Sequence, residues 1–134
     1  GACGNNRISV FEEMRMVSIL QKAKTCSALC VNYEDAFKMG TQNGGIVLDL
    51  PVGKIESGYK ADFVGISIKD FSMQPLTEKG RQFLPNLVYS MQPTAIGRVA
   101  VNGRTTVINN QLVNIAESRV LELVSATMQH LEQD

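Results

Sequence analysis

Cys26 and Cys30 are spaced so that a helix would carry both sulfurs on one face, and with Cys3 and the single histidine, His130, they are the chain's soft metal donors. A structural zinc site needs about four such ligands, so all of these would have to converge from distant parts of the sequence. A small metal protein or enzyme built on Cys3, Cys26, Cys30 and His130 is one reading; small buried cysteines are the commoner use. Cys3 would act as a nucleophile only with a base beside it, and the one imidazole lies near the opposite end of the chain. His130 there reads as a solvent-facing or helix-capping residue. Glu12 and Glu13 are adjacent, hence about 100° apart on a helix, and cannot work as one acid–base pair. The glycines between Gly40 and Gly45 fit neither the dinucleotide fingerprint nor the phosphate loop, and read as a helix end.

The elements that must position these residues are constrained first by composition. At 134 residues the chain can bury one respectable core. Thirteen basic and thirteen acidic side chains balance, which gives no electrostatic reason to expect nucleic acid or an anionic membrane as partner. No apolar run approaches the roughly 20 residues of a membrane span, and the first residues lack a signal-peptide pattern. Three cysteines do not make a disulfide framework. A globular, cytoplasmic protein is expected, with no nucleic-acid and no membrane partner.

Helical spacing of Val10, Met14, Val17 and Leu20 or Gln21, after a Ser9–Glu12 capping box, predicts a helix from Val10 to about Lys24, with Phe11 widening its apolar stripe. Asn32 is a candidate N-cap for a second helical region, two short helices or one irregular one, broken around Gly40 and Asn43-Gly44-Gly45. The stretch from Gly53 to Ile68 reads as strand, Ser57-Gly58 turn, strand. Lys69 to Pro85 lacks a clean period and suggests a long surface connection. Leu87-Val88-Tyr89 is a short strand candidate. Ala95 to Val101 and Arg104 to Ile108 flank Asn102-Gly103, the chain's strongest hairpin signal. A last helix is expected from an Asn114–Glu117 capping box, burying Val120, Leu123 or Val124, Thr127 or Met128, and Leu131, with Leu121 broadening the stripe. The residues alone thus describe an α+β protein with no recognisable active site.

Four motifs in order carry a resemblance. Asn5-Asn6-Arg7-Ile8-Ser9-Val10-Phe11-Glu12-Glu13-Met14-Arg15-Met16 with Leu20-Gln21-Lys22 comes first, and Phe37-Lys38-Met39-Gly40-Thr41-Gln42-Asn43-Gly44-Gly45 second. Gly53-Lys54-Ile55-Glu56-Ser57-Gly58-Tyr59-Lys60-Ala61-Asp62-Phe63-Val64 and Val99-Ala100-Val101-Asn102-Gly103-Arg104 complete the set. Together they resemble the C-terminal part of amidohydrolase-superfamily enzymes, in the branch of the methylthioadenosine/S-adenosylhomocysteine deaminases and triazine chlorohydrolases. Gly40 stands where that family usually has alanine. The resemblance implies the last helices of a (β/α)₈ barrel over residues 1–52. Over residues 53–134 it implies the C-terminal part of a composite β-sandwich with a terminal helix.

The family's implied chemistry is metal-dependent hydrolysis of C–N or C–Cl bonds on heteroaromatic rings, usually with zinc or iron. Its metal ligands are histidines of earlier strands and an aspartate that would fall just before residue 1. No catalytic and no metal-binding residue transfers onto this chain. Asn5, Asn6 and Arg7 are expected at the active-site rim of an intact parent. The chain is therefore expected to be inactive by itself, a stand-alone interaction module being the alternative. Its expected partners are the missing N-terminal barrel portion or a second copy of itself. The reason is that the stripe Val10-Met14-Val17 and a sheet edge would otherwise face water, unless that helix packs on its own sheet.

Overall fold

A computed structural model describes residues 6–131. Helix α1 (Val10–Thr25) begins where Ser9 Oγ accepts the Glu12 amide at 3.3 Å. It ends at Cys26, which turns left-handed so that the Cys26 and Ser27 amides reach back to the Ala23 and Lys22 carbonyls. Helix α2 (Tyr33–Gly40) has a complete capping box, Asn32 accepting from the Glu34 and Asp35 amides and Asp35 accepting from the Asn32 amide. Helix α3 (Gln42–Leu48) follows after Thr41 alone, so the broken region is two short helices. After β1 (Phe63–Ile66) come a 3₁₀ turn at Phe71–Met73, helix α4 (Phe83–Tyr89) and a second 3₁₀ turn at Pro93–Ala95. Strands β2 (Ile96–Val101), β3 (Arg104–Ile108) and β4 (Gln111–Leu112) lead to helix α5 (Glu117–Leu131).

The strands form one antiparallel sheet in the order β1-β2-β3-β4. Asn102-Gly103 turns β2 into β3 with φ of 49° and 77°, the pair of positive values that a tight hairpin requires. Asn109-Asn110 repeats the device between β3 and β4, with φ of 48° and 61°. Val64, Val99, Val107 and Leu112 are successive cross-strand partners and give one face an apolar row across all four strands.

The core lies among the helices and the 3₁₀ turns rather than on the sheet. Met14, Ala36 and Val88 form one buried cluster, with Phe11, Val17 and Phe37 against it. Met73, Leu87 and Ala95 form another, with Ile66 and Phe83 against it. Leu87 and Val88 are neighbours on α4 and feed one cluster each, so that helix joins the two.

Several expectations change here. The stripe around Met14 does not face water, nor does it pack on the sheet; α2 and α4 cover it, while Val10 and Leu20 at its margins are exposed. Leu87-Val88-Tyr89 is helical because burying two adjacent side chains in two clusters outweighs β-propensity, and Pro85 sits in the first helical turn, where its missing amide costs nothing. The 69–85 connection is not wholly superficial, since Met73 is fully buried. The turn at Ser57-Gly58 forms, but residues 53–56 are no strand. Gly53 adopts φ 86° against the Thr41 carbonyl, and the Lys60 amide returns to the Pro51 carbonyl, which closes an irregular loop instead. The last helix starts at Glu117 with Ala116 at its cap, so the Asn114 box is not formed, and none of its residues is buried.

Candidate functional site

The expected rim of the site leads directly into α1. Asn5 lies outside the described residues. Asn6 is left-handed with φ 59°, and exposed Arg7 brings Nη1 to 3.5 Å from Glu12 Oε1. Ser9 fixes the first turn of α1, so Arg7 and Glu12 stand on one side of it. Beyond them a cleft of about 480 Å³ opens between α1 and the segment that follows α4. Phe11, Leu87 and Met91 give it apolar walls, and Arg15 crosses it to donate from Nε to the Tyr89 carbonyl at 3.0 Å. The donation satisfies a carbonyl of the last turn of α4 and ties that helix to α1.

A second polar cluster lies deeper. Ser18 is fully buried on α1, and its hydroxyl donates to the Val31 carbonyl at 2.6 Å. Lys22 Nζ donates to Ser18 Oγ at 2.8 Å and to Tyr89 Oη, and lies 4.8 Å from the centre of the Tyr89 ring. The Tyr89 and Ser18 oxygens are 2.8 Å apart. Burial pushes the Tyr89 phenol up, but its hydrogen bonding with Lys22 and Ser18, together with the Lys22 charge, brings it below its ordinary value. Serine, lysine and tyrosine together suggest an activated nucleophile. The geometry argues otherwise, because a Ser18 sealed from solvent cannot reach a substrate. The cluster locks α1, the 26–32 turn and α4 together.

The remaining candidates do not converge. Cys3 is outside the described residues. Cys26 is exposed at the end of α1 and Cys30 half-buried in the following turn, both free thiols, and the helix that would align them stops at Thr25. His130 stands on α5 among exposed residues. Among the described residues no three His, Cys, Asp or Glu side chains gather closely enough to hold a metal ion. Glu12 and Glu13 occupy the first turn of α1, where the helix dipole favours them. Sequence reasoning passed over Ser18 and took Tyr89 only as part of a short strand candidate. The signal available was weak, a serine and a lysine one helical turn apart beside an apolar stripe.

The described residues thus form a helical part with its own core, a four-stranded antiparallel sheet and a polar rim at which no metal ligands gather. The Amidohydrolase family profile matches residues 1–106. This chain belongs to the amidohydrolase family. A 5-methylthioadenosine/S-adenosylhomocysteine deaminase of Pyrococcus horikoshii is 34% identical over 122 residues, covering 91% of this chain and 28% of the relative. A 5'-deoxyadenosine deaminase of Methanococcus maripaludis is 33% identical, with 90% and 28% covered. Among solved structures, an adenosine deaminase of Xanthomonas campestris with bound zinc superposes on all of this chain at a TM-score of 0.89 and 22% identity, over 30% of its own length. The zinc complex of an atrazine chlorohydrolase of Arthrobacter aurescens gives a TM-score of 0.79 at 17% identity, over 94% of this chain and 28% of its own. The chain therefore spans under a third of the length of these relatives.

Proposed function

We propose that this chain is the C-terminal portion of a metal-dependent hydrolase that removes amino or chloro groups from heteroaromatic rings, and that it is inactive alone. One observation carries the reading: deaminases match nine-tenths of this chain with about a quarter of their own length. Residues 1–52 are assigned to the end of the barrel, with Asn5, Asn6 and Arg7 at the rim of its active site, and residues 53–134 to the sandwich part. In this reading the cytoplasmic enzyme's zinc or iron is held by the remaining part of the polypeptide, which is also the chain's natural partner. The donor set present here does not fit such a metal, since the whole sequence offers one histidine and it lies on the exposed terminal helix. No catalytic step is therefore assigned to residues of this chain.

The test uses the purified chain with added zinc or iron, presented with 5'-methylthioadenosine, S-adenosylhomocysteine and a chlorotriazine. No turnover and no stoichiometric metal is the expected result. Turnover that depends on one equivalent of bound metal would overturn it. A stand-alone interaction module without catalysis is the second reading, favoured by the buried clusters that the helices complete among themselves. The upstream reading frame separates the two: a His-x-His motif, later histidines and a Gly-Thr-Asp at the junction belong only to the first.

A further inference from the structure

We propose that Asn43 is a site of spontaneous covalent modification, converting to aspartate and isoaspartate by cyclising onto the Gly44 amide, while the same dipeptide at Asn102-Gly103 is kept unreactive by the fold. Asn-Gly occurs at these two places in the chain. Asparagine is chemically labile, and most so before glycine, where no side chain shields the following nitrogen. The reaction needs only water and base. The Gly44 nitrogen gives its proton to base and bonds to Asn43 Cγ; the Cγ–Nδ2 bond breaks and ammonia leaves. Water then opens the imide ring and returns a proton to the nitrogen. Cleavage of the new bond leaves aspartate. Cleavage of the original bond to the Asn43 carbonyl carbon leaves isoaspartate, with one more carbon in the backbone.

The two sites differ in what holds the reacting nitrogen. Asn43 and Gly44 stand in the first turn of α3, whose amides have no acceptor within the helix. Thr41 at the N-cap supplies none, because its hydroxyl donates to the Phe37 carbonyl at 2.7 Å instead. Asn43 is exposed, and a Cβ on Gly44 would meet nothing within 4 Å, so the space about that residue is open. A helical ψ at Asn43 turns the Gly44 nitrogen away from Cγ, and the first turn must therefore open before attack. The Gly45 amide ties that turn to the Thr41 carbonyl at 3.3 Å, a long bond, in a seven-residue helix with two adjacent glycines. Gly103, by contrast, donates its amide to the Ala61 carbonyl at 2.9 Å, and the Asn102 amide donates to Asp62 Oδ1 at 2.5 Å. With β2 paired to both β1 and β3, the Gly103 nitrogen is released only when the hairpin leaves the sheet.

Incubation of the intact folded chain in mildly alkaline buffer at physiological temperature, followed by peptide mass mapping over several weeks, tests this. The Asn43 peptide should convert about tenfold or more faster than the Asn102 peptide, the ratio being set by the easier opening. An isoaspartyl-specific carboxyl methyltransferase with a labelled methyl donor should mark the Asn43 peptide, which separates isoaspartate from aspartate. In concentrated urea the two rates should come within a few-fold of each other, since the fold alone distinguishes them. Gly44→Ala, for which the space exists, should slow conversion at Asn43 about tenfold or more and leave Asn102 unchanged, with circular dichroism confirming the fold. Conversion at Asn102 as fast as at Asn43 in the folded chain overturns the proposal, as does an absence of conversion at Asn43. A rate ratio that persists undiminished in urea, or conversion at Asn43 indifferent to Gly44→Ala, overturns it equally.

Discussion

Two side chains with shifted acidity give the fold distinct pH signatures. Burial raises the Tyr89 phenol, but Lys22 and Ser18 outweigh it and hold the pKa below 10.0. The folded chain thus releases this proton at lower pH than the unfolded one. Between the two values the unfolded state binds more protons, so stability rises with pH across that window. Tyr89→Phe removes both hydrogen bonds and should cost about 0.5–1.5 kcal/mol near neutrality, as hydrogen-bond deletions typically do. The gap in thermal midpoint between wild type and variant should widen as pH climbs towards about 10, the ordinary tyrosine value. A gap independent of alkaline pH would contradict the Lys22–Tyr89 geometry. Asp70 behaves in the same sense, in the acid range. The Ser72 hydroxyl, at 2.6 Å, and then its amide, at 2.9 Å, hold the carboxyl below 3.8. Its contribution is present above 3.8 and lost as pH falls through the folded value. Asp70→Asn should therefore lower the midpoint near neutrality, and the difference should vanish in acid; a difference that persists there would rule out the carboxylate as its source.

At the scale of elements, two glycines of one region should respond differently to the same substitution. A Cβ on Gly45 would stand 2.6 Å from the Val52 carbonyl oxygen, so the 50–53 loop must shift as backbone. Gly45→Ala should cost about 1–3 kcal/mol, the usual range for overpacking. A Cβ on Gly40 would meet Met14 Cγ and Sδ at 2.7 Å, the flexible part of a side chain with other rotamers available. Alanine there also improves the end of α2, so Gly40→Ala should stay within about 1 kcal/mol of wild type. Urea unfolding midpoints decide, and the reverse order would mean that the 50–53 loop yields more easily than Met14. The same elements show what the sequence made legible. Capping at Ser9 and Asn32 and the positive-φ pair Asn102-Gly103 are local chemistry, and each forms where its residues stand. Leu87-Val88 took its helical form from two clusters built by residues dozens of positions away, which no local pattern contains. Ser18 was invisible for the same reason: a buried serine makes sense only once Val31, Lys22 and Tyr89 supply its hydrogen bonds. At the rim, the sequence placed Arg7 next to α1, but its pairing with Glu12 required the turn set by Ser9.

The whole molecule divides its burial unevenly, and that division predicts how it opens. Both buried clusters belong to α1, α2, α4 and the turns at Phe71–Met73 and Pro93–Ala95. On the strands only Ala100 is buried, and every residue from Ile108 to Leu131 is exposed. A sheet whose apolar row Val64-Val99-Val107-Leu112 lacks a second layer keeps its ladder hydrogen bonds within reach of water. Opening it removes little hydrophobic area, at about 25 cal/mol per Å². Local stability should therefore fall from the helices to the sheet and again to α5. Hydrogen exchange on the monomeric chain at low concentration should show α1 and α4 protected near the global limit, β2 and β3 exchanging through smaller openings, and α5 fastest among the helices. Met14→Ala, which empties the first cluster, should cost about 2–5 kcal/mol and accelerate exchange in α1, α2 and α4 together. Leu112→Ala, at the open edge of the sheet, should cost under about 1 kcal/mol, because its side chain already meets solvent. Equal protection of sheet and helices in the dilute monomer would mean that the sheet carries a cover of its own and would overturn this order of local stabilities.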